Sequence, residues 1–253
     1  MRAHPTVVEP TGEPRFTLAD HLEELRRRLG IALAALLVGV GVSFTQVEWI
    51  VQWLRRPAGE WLPPFAYFSP VEPLLAYVRV AVLGGLALAM PVILMQLWGF
   101  IRSGLTPRER SLGLAFIGWG SVQFLAGAAF AYYGLLPLSL RVLLGIGRDF
   151  LQPVLSIDRY LAFVTALLFW CGLVFELPVV LWVLSRIGIV TPAWLRQQRP
   201  YAVLILVIIA AVVTPTTDPV SLCLMAVPLV LLYELSILIA RVARETFGVK
   251  HVV

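Results

Sequence analysis

Six apolar runs, at 29–45, 74–101, 111–136, 160–184, 201–213 and 219–240, make up most of the chain, and Arg79, Glu176 and Glu234 are the charged residues inside them. Runs of this kind leave few choices of fold. Lipid offers no hydrogen bonds to a bare backbone, so a spanning segment must be a helix or part of a closed barrel. Barrel strands alternate apolar and polar residues over about ten positions, whereas these runs are continuous. The sequence therefore predicts an all-α integral membrane protein with six transmembrane helices. Composition agrees: 59% of residues are hydrophobic and 14% charged, against about a quarter charged in soluble domains, and mean hydropathy is +0.86. One membrane domain is expected over 16–245, between a loose, proline-containing tail at 1–15 and a short tail at 246–253.

Span lengths and charges set the expected topology. The fifth run reaches about 20 Å as a helix, short of a hydrocarbon core near 30 Å. The sixth is purely apolar only as far as Tyr233, so helices five and six are both expected to be short. An N-inside arrangement puts Arg55, Arg56, Arg79, Arg141, Arg148 and Arg159 at or near the outer side and the other 14 of the 20 Lys and Arg residues inside. Basic residues collect on the cytoplasmic side, which predicts that both termini are cytoplasmic. Segment 48–73, rich in proline and aromatic residues, is expected to form an ordered outer cap, and 138–158 a second outer loop with room for a helical part. The net charge of +5 suits lipid phosphates and this topology. No basic nucleic-acid recognition module is visible.

Just before the first run, Phe16 to Arg28 packs three acids and three arginines into about three turns. Leu18, Leu22, Leu25 and Leu29 share one face, and Glu23–Arg27 and Glu24–Arg28 have the i,i+4 spacing of helical ion pairs. This predicts a short amphipathic helix lying on the bilayer surface. Three arginines ahead of a first span also satisfy the positive-inside rule without further meaning. A cleavable signal sequence is excluded by the apolar runs that follow.

Few residues suit catalysis. The three histidines lie outside the runs, which excludes a haem held by two membrane histidines, and the four aspartates lie in loops or surface helices, which removes a membrane aspartyl protease. HExxH and GxSxG motifs are absent. Cys171 and Cys223 lie in apolar runs without metal-ligand spacing, so no metal or other cofactor is expected. Glu176 stands out: ten residues before Arg186, it falls about 15 Å from the inner boundary, near the midplane. A carboxylate there costs about 2.5 to 3.5 kcal/mol on insertion scales and must face a polar groove, find a partner or be protonated. Pro178 frees the carbonyl of Val174 in the same turn. One reading is a contact site for a ligand or partner helix; the other is a neutral glutamate tying two helices together. Glu24 and Glu109 both fall on the cytoplasmic side, where paired acids make a receptor for an arginine pair. Local pairing, Glu24 with Arg28 and Glu109 with Arg108 or Arg110, is the competing arrangement.

Taken in order, the motifs His21-Leu-x-Glu-Leu-Arg-x-Arg28, Ser69-Pro-x-Glu-Pro, Pro91-Val-Ile-Leu-x-Gln-x-Trp-x-Phe100, Gly104-Leu-x-x-x-Glu-Arg110, Ala131-Tyr-Tyr, Phe175-Glu-x-Pro-Val179 and Arg199-Pro-Tyr201 resemble the TatC family, the signal-receptor subunits of the twin-arginine protein translocase. The resemblance covers about 20–241. It implies a cupped, glove-like bundle in a bacterial or archaeal cytoplasmic membrane, in which folded precursors bearing twin-arginine signal peptides dock at Glu24 and Glu109. It further implies that Arg26 and Arg28 shape the docking surface and that Glu176 lies on the concave face. Pro57 matches a proline of the first outer loop and Asp218 an acid of the outer tip. TatA-like and TatB-like single-span subunits, self-association within the complex and a proton-motive-force drive come with the same resemblance. The segment Leu105-Thr-Pro-Arg-Glu-Arg110 departs from members that carry an aromatic or basic residue there. From the residues alone, a proton-coupled small-solute transporter using Glu176 is the alternative function, and a purely structural scaffold a third.

Overall fold

The computed structural model describes residues 18–61, 65–102, 113–145, 154–186, 188–213 and 219–247. Glu109 and Asp218 lie outside the described residues, as do both expected tails apart from Thr246 and Phe247. Helices α1 (Leu18–Thr45), α2 (Val47–Arg55), α3 (Glu72–Ile101), α4 (Gly113–Phe130), α5 (Leu136–Gly145), α6 (Ile157–Phe175), α7 (Leu177–Arg186), α8 (Pro192–Gln197), α9 (Arg199–Val213) and α10 (Pro219–Phe247) follow one another. A 3-10 turn, Arg56–Trp61, follows α2, and a π turn, Ala131–Leu135, joins α4 to α5. Among the described residues, four stretches are long and apolar enough to cross a membrane: Leu22–Thr45, Glu72–Ile101, Gly113–Gly145 and Ile157–Ser185. The chain is a multi-pass membrane protein.

Several boundaries differ from the sequence expectation. The charged segment before the first run is not a separate surface helix but the first turns of α1, 28 residues long. No helix breaker stands between Arg28 and Leu29, and Gly30 alone costs only about 1 kcal/mol. The third span does not close at 136. The π turn widens the backbone ladder ahead of Pro137, whose ring would otherwise meet the preceding carbonyl, and the helix runs on to Gly145, into the expected loop. The fourth span is two helices rather than one, broken at Glu176, where the Glu176 N–H donates to the Leu173 carbonyl at 3.1 Å in a tightened turn. Helix α9 is short, 15 residues or about 22 Å. Helix α10 is not: only its apolar part is brief, and it continues through Glu234 and Arg241 for 29 residues, because neither residue breaks a helix.

Helix α1 packs chiefly on α3, while α10 packs on α7 and α9 at the other edge. At one end of the bundle the chain between α1 and α3 forms the expected cap. Trp53 stacks on Tyr132 at 3.8 Å, the Tyr132 hydroxyl donates to the Trp53 carbonyl at 2.6 Å, and the Tyr160 hydroxyl donates to the Leu54 carbonyl at 3.0 Å. Ala66 exchanges backbone bonds with Leu155 and Ile157, both at 3.0 Å, and Arg79 pairs with Asp158. Pro57 sits half-buried in the 3-10 turn of this cap. The first turns of α1, the last of α3 and the last of α7 share the opposite end.

Candidate functional site

Two features hold four of the functional residues expected from sequence, Glu24, Arg28, Glu176 and Pro178. The first is a pocket of about 400 Å3 at the end where α1 begins, lined by Glu23, Glu24, Arg27, Arg28, Ile31 and Gln96. Of the two expected ion pairs on α1, Glu24–Arg28 forms. Arg28 Nε and Nη2 donate to Glu24 Oε1 at 3.1 and 2.6 Å, with both side chains partly exposed. The guanidinium abuts Gly99 of α3, where an added Cβ would stand 1.8 Å from Nη1 and 2.6 Å from Cζ. Gln96, three residues earlier on α3, faces the same pocket. Arg26 is exposed and does not line it. Sequence reading missed Gln96 and Gly99, although both stand within the Pro91–Phe100 motif at the i,i+3 spacing of one helix face.

The second feature is Glu176, 5% exposed at the break between α6 and α7. Its carboxylate points at α4, where a Cβ on Gly120 would stand 3.0 Å from Oε2 and 2.7 Å from Leu94 Cδ1 of α3. Apolar side chains of α3, α4 and α7, among them Met90, Phe116, Phe124 and Val183, pack around this seam. Among the described residues, the buried side-chain polar atoms without a hydrogen-bond partner are both Glu176 oxygens and Ser43 Oγ. Glu234, the other acid inside an apolar run, pairs with Arg199 at the start of α9. Pro178 is buried just beyond Glu176 and lines an apolar pocket of about 490 Å3 with Trp119 and Trp182. Among the described residues, no group of three His, Cys, Asp or Glu residues is placed to hold a metal ion.

A sequence profile described as "TatC: Sec-independent protein translocase protein (TatC)" matches residues 20–228. The chain belongs to the TatC family. Relatives named Sec-independent protein translocase protein TatC include that of Aquifex aeolicus, 38% identical over 230 residues covering 89% of this chain and 95% of the relative. The protein of Carboxydothermus hydrogenoformans is 36% identical over 226 residues, 89% and 93% of the two chains. A solved structure titled "Crystal Structure of Twin Arginine Translocase Receptor- TatC" superposes with a TM-score of 0.81 at 38% identity, covering 88% of this chain and 99% of that one. The all-helical TatC fold expected from sequence is therefore the fold of this chain. As a TatC family member it is a translocase component and not an enzyme.

Proposed function

We propose that the chain is the receptor subunit of a twin-arginine translocase, binding the signal peptides of folded precursors in the pocket around Glu24. The observation that carries this reading is that the Glu24 carboxylate already holds a guanidinium by two nitrogens, in a pocket open to solvent at the end of the bundle. The same chemistry that seats Arg28 seats an arginine of a ligand. Glu109 supplies the second carboxylate, and Arg26 and Arg28 border the docking surface. The pocket faces the cytoplasm of a bacterial or archaeal cell, both termini being inside, in keeping with the Lys and Arg asymmetry. The apolar part of the signal then runs along the helices toward Glu176. That carboxylate, buried without a partner among the described residues, takes a polar group of the signal or of a TatA-like or TatB-like helix. Pro57 and Asp218 shape the outer side, copies of the chain associate within the complex, and the proton-motive force drives transport.

The test is binding of a labelled twin-arginine signal peptide to the purified, detergent-solubilised chain, beside a twin-lysine control. Arginine preference is expected, with a loss of about tenfold in Glu24→Ala and in Glu109→Ala, the lower end of the range for a charge-assisted hydrogen bond. Equal binding of the two peptides, unchanged in both variants, would sink the receptor reading.

A further inference from the structure

We propose that Arg28 is a built-in occupant of the arginine seat on Glu24, and that a signal arginine binds by displacing it. The inference rests on the receptor reading above and adds what the empty receptor does with its own carboxylate. Three features of the geometry point to it. Both Arg28 contacts, at 3.1 and 2.6 Å, go to a single oxygen, Oε1, whereas a two-oxygen fork is the stronger way for a guanidinium to meet a carboxylate. The pair is held within one helix at i,i+4, so its approach is dictated by the helix. An arginine entering from the pocket has no such constraint and can take both oxygens. Finally, Gly99 shows that the seat for Arg28 is built: a side chain at 99 would collide with the guanidinium, so α3 accommodates Arg28 in this position by omitting one.

Occupation of the seat has two consequences. A partly buried carboxylate left bare at a membrane surface attracts any cation, and Arg28 keeps Glu24 neutralised until a better-placed guanidinium arrives. Each binding event also includes the cost of breaking the Glu24–Arg28 pair, so the wild-type chain binds its signal more weakly than the bare pocket does. A released signal is replaced by Arg28, which favours release once the precursor has moved on.

The experiment uses the same purified full chain and the same twin-arginine and twin-lysine peptides, with affinity and thermal unfolding measured for each variant. Arg28→Gln is expected to bind the twin-arginine peptide about two- to fivefold more tightly, the equivalent of a partly exposed ion pair no longer broken on binding. Gly99→Ala would place its Cβ 1.8 Å from Nη1 and so shifts the guanidinium away from its present position without changing any charge; it is expected to act in the same direction. Arg28→Lys, which keeps the charge but not the two-nitrogen contact, is expected to lie between wild type and Arg28→Gln. The double variant Arg28→Gln with Gly99→Ala should gain no more than either alone, since both empty the same carboxylate. Weaker or unchanged binding in Arg28→Gln overturns the proposal and makes Arg28 a contact for the peptide or a structural residue. Tighter binding in Arg28→Gln with none in Gly99→Ala overturns it as well, leaving only a general charge effect. Should Arg28→Gln fail to fold, Gly99→Ala and Arg28→Lys carry the same decision. The receptor reading fails separately, by the absence of arginine preference in the wild type and of any effect of Glu24→Ala, and the displacement model falls with it.

Discussion

At the scale of single residues, the chain treats the two acids inside its apolar runs in opposite ways. Glu234 is paired with Arg199, while Glu176 has neither carboxylate oxygen bonded among the described residues. An unpartnered buried polar group costs about 1 to 3 kcal/mol, so the isolated chain keeps Glu176 at a loss. Glu176→Leu, close in volume and free of polar atoms, is therefore expected to unfold in detergent at the same or a higher temperature than wild type. The same variant is expected to lose crosslinks from position 119, beside Pro178, to a partner single-span helix. A clear fall in unfolding temperature with crosslinks intact points to a structural tie instead. That Glu176 is an acid at depth was legible in the sequence. Its lack of a partner was not, because that depends on which faces of α3 and α4 close over it.

At the scale of elements, the contact of α1 with α3 is made by backbone. A Cβ on Gly39 would stand 2.5 Å from the Gly85 carbonyl oxygen, and one on Gly85 would stand 2.7 Å from Val40 Cα. Backbone cannot rotate away as a side chain can, so Gly85→Ala must push the helices apart. A destabilisation of about 1 to 3 kcal/mol is expected, the usual range for overpacking. Gly41→Ala, on the same helix as Gly39 with nothing within 4 Å of the added methyl, should instead gain about 0.5 to 1 kcal/mol from helix propensity. Denaturation of the two variants in the same detergent separates these signs; equal effects would mean that the close approach carries no energy. Gly39 and Gly41 both stand in the second half of the first run, but nothing in α1 alone tells which glycine meets α3. Pro137 and Pro178 show a similar limit. The run expected to close before Pro137 is carried past it by a π turn, whereas the run expected to continue through Pro178 is broken two residues earlier, at Glu176.

At the scale of the whole molecule, the two ends of the bundle differ in kind. The cap end is tied by the stacked Trp53 and Tyr132, by the Tyr160 hydroxyl on Leu54 and by the Arg79–Asp158 pair. The other end carries the Glu24 pocket and the α7–α8 turn. Val154 and Ile189 are well exposed at these two ends, 67% and 70% respectively. With Cys223, an exposed free thiol, replaced by Ser, a cysteine at 154 is expected to react with a membrane-impermeant thiol reagent added outside intact cells. A cysteine at 189 is expected to react only after the membrane is opened. The reverse pattern would invert the proposed orientation and place the Glu24 pocket outside.

The sequence by itself determined the class, the number of apolar runs and the family, because the cost of burying charge or bare backbone in lipid is met locally and leaves a local record. It also marked Glu24, Arg28 and Glu176, since residues of that kind are conspicuous beside or within apolar runs. The joining of the charged segment to the first span, the seating of Arg28 against Gly99, the pairing of Glu234 with Arg199 and the isolation of Glu176 were decided only by the tertiary structure. Each depends on the approach of helices far apart in the chain, whose depth and rotation are set by packing that no single segment contains.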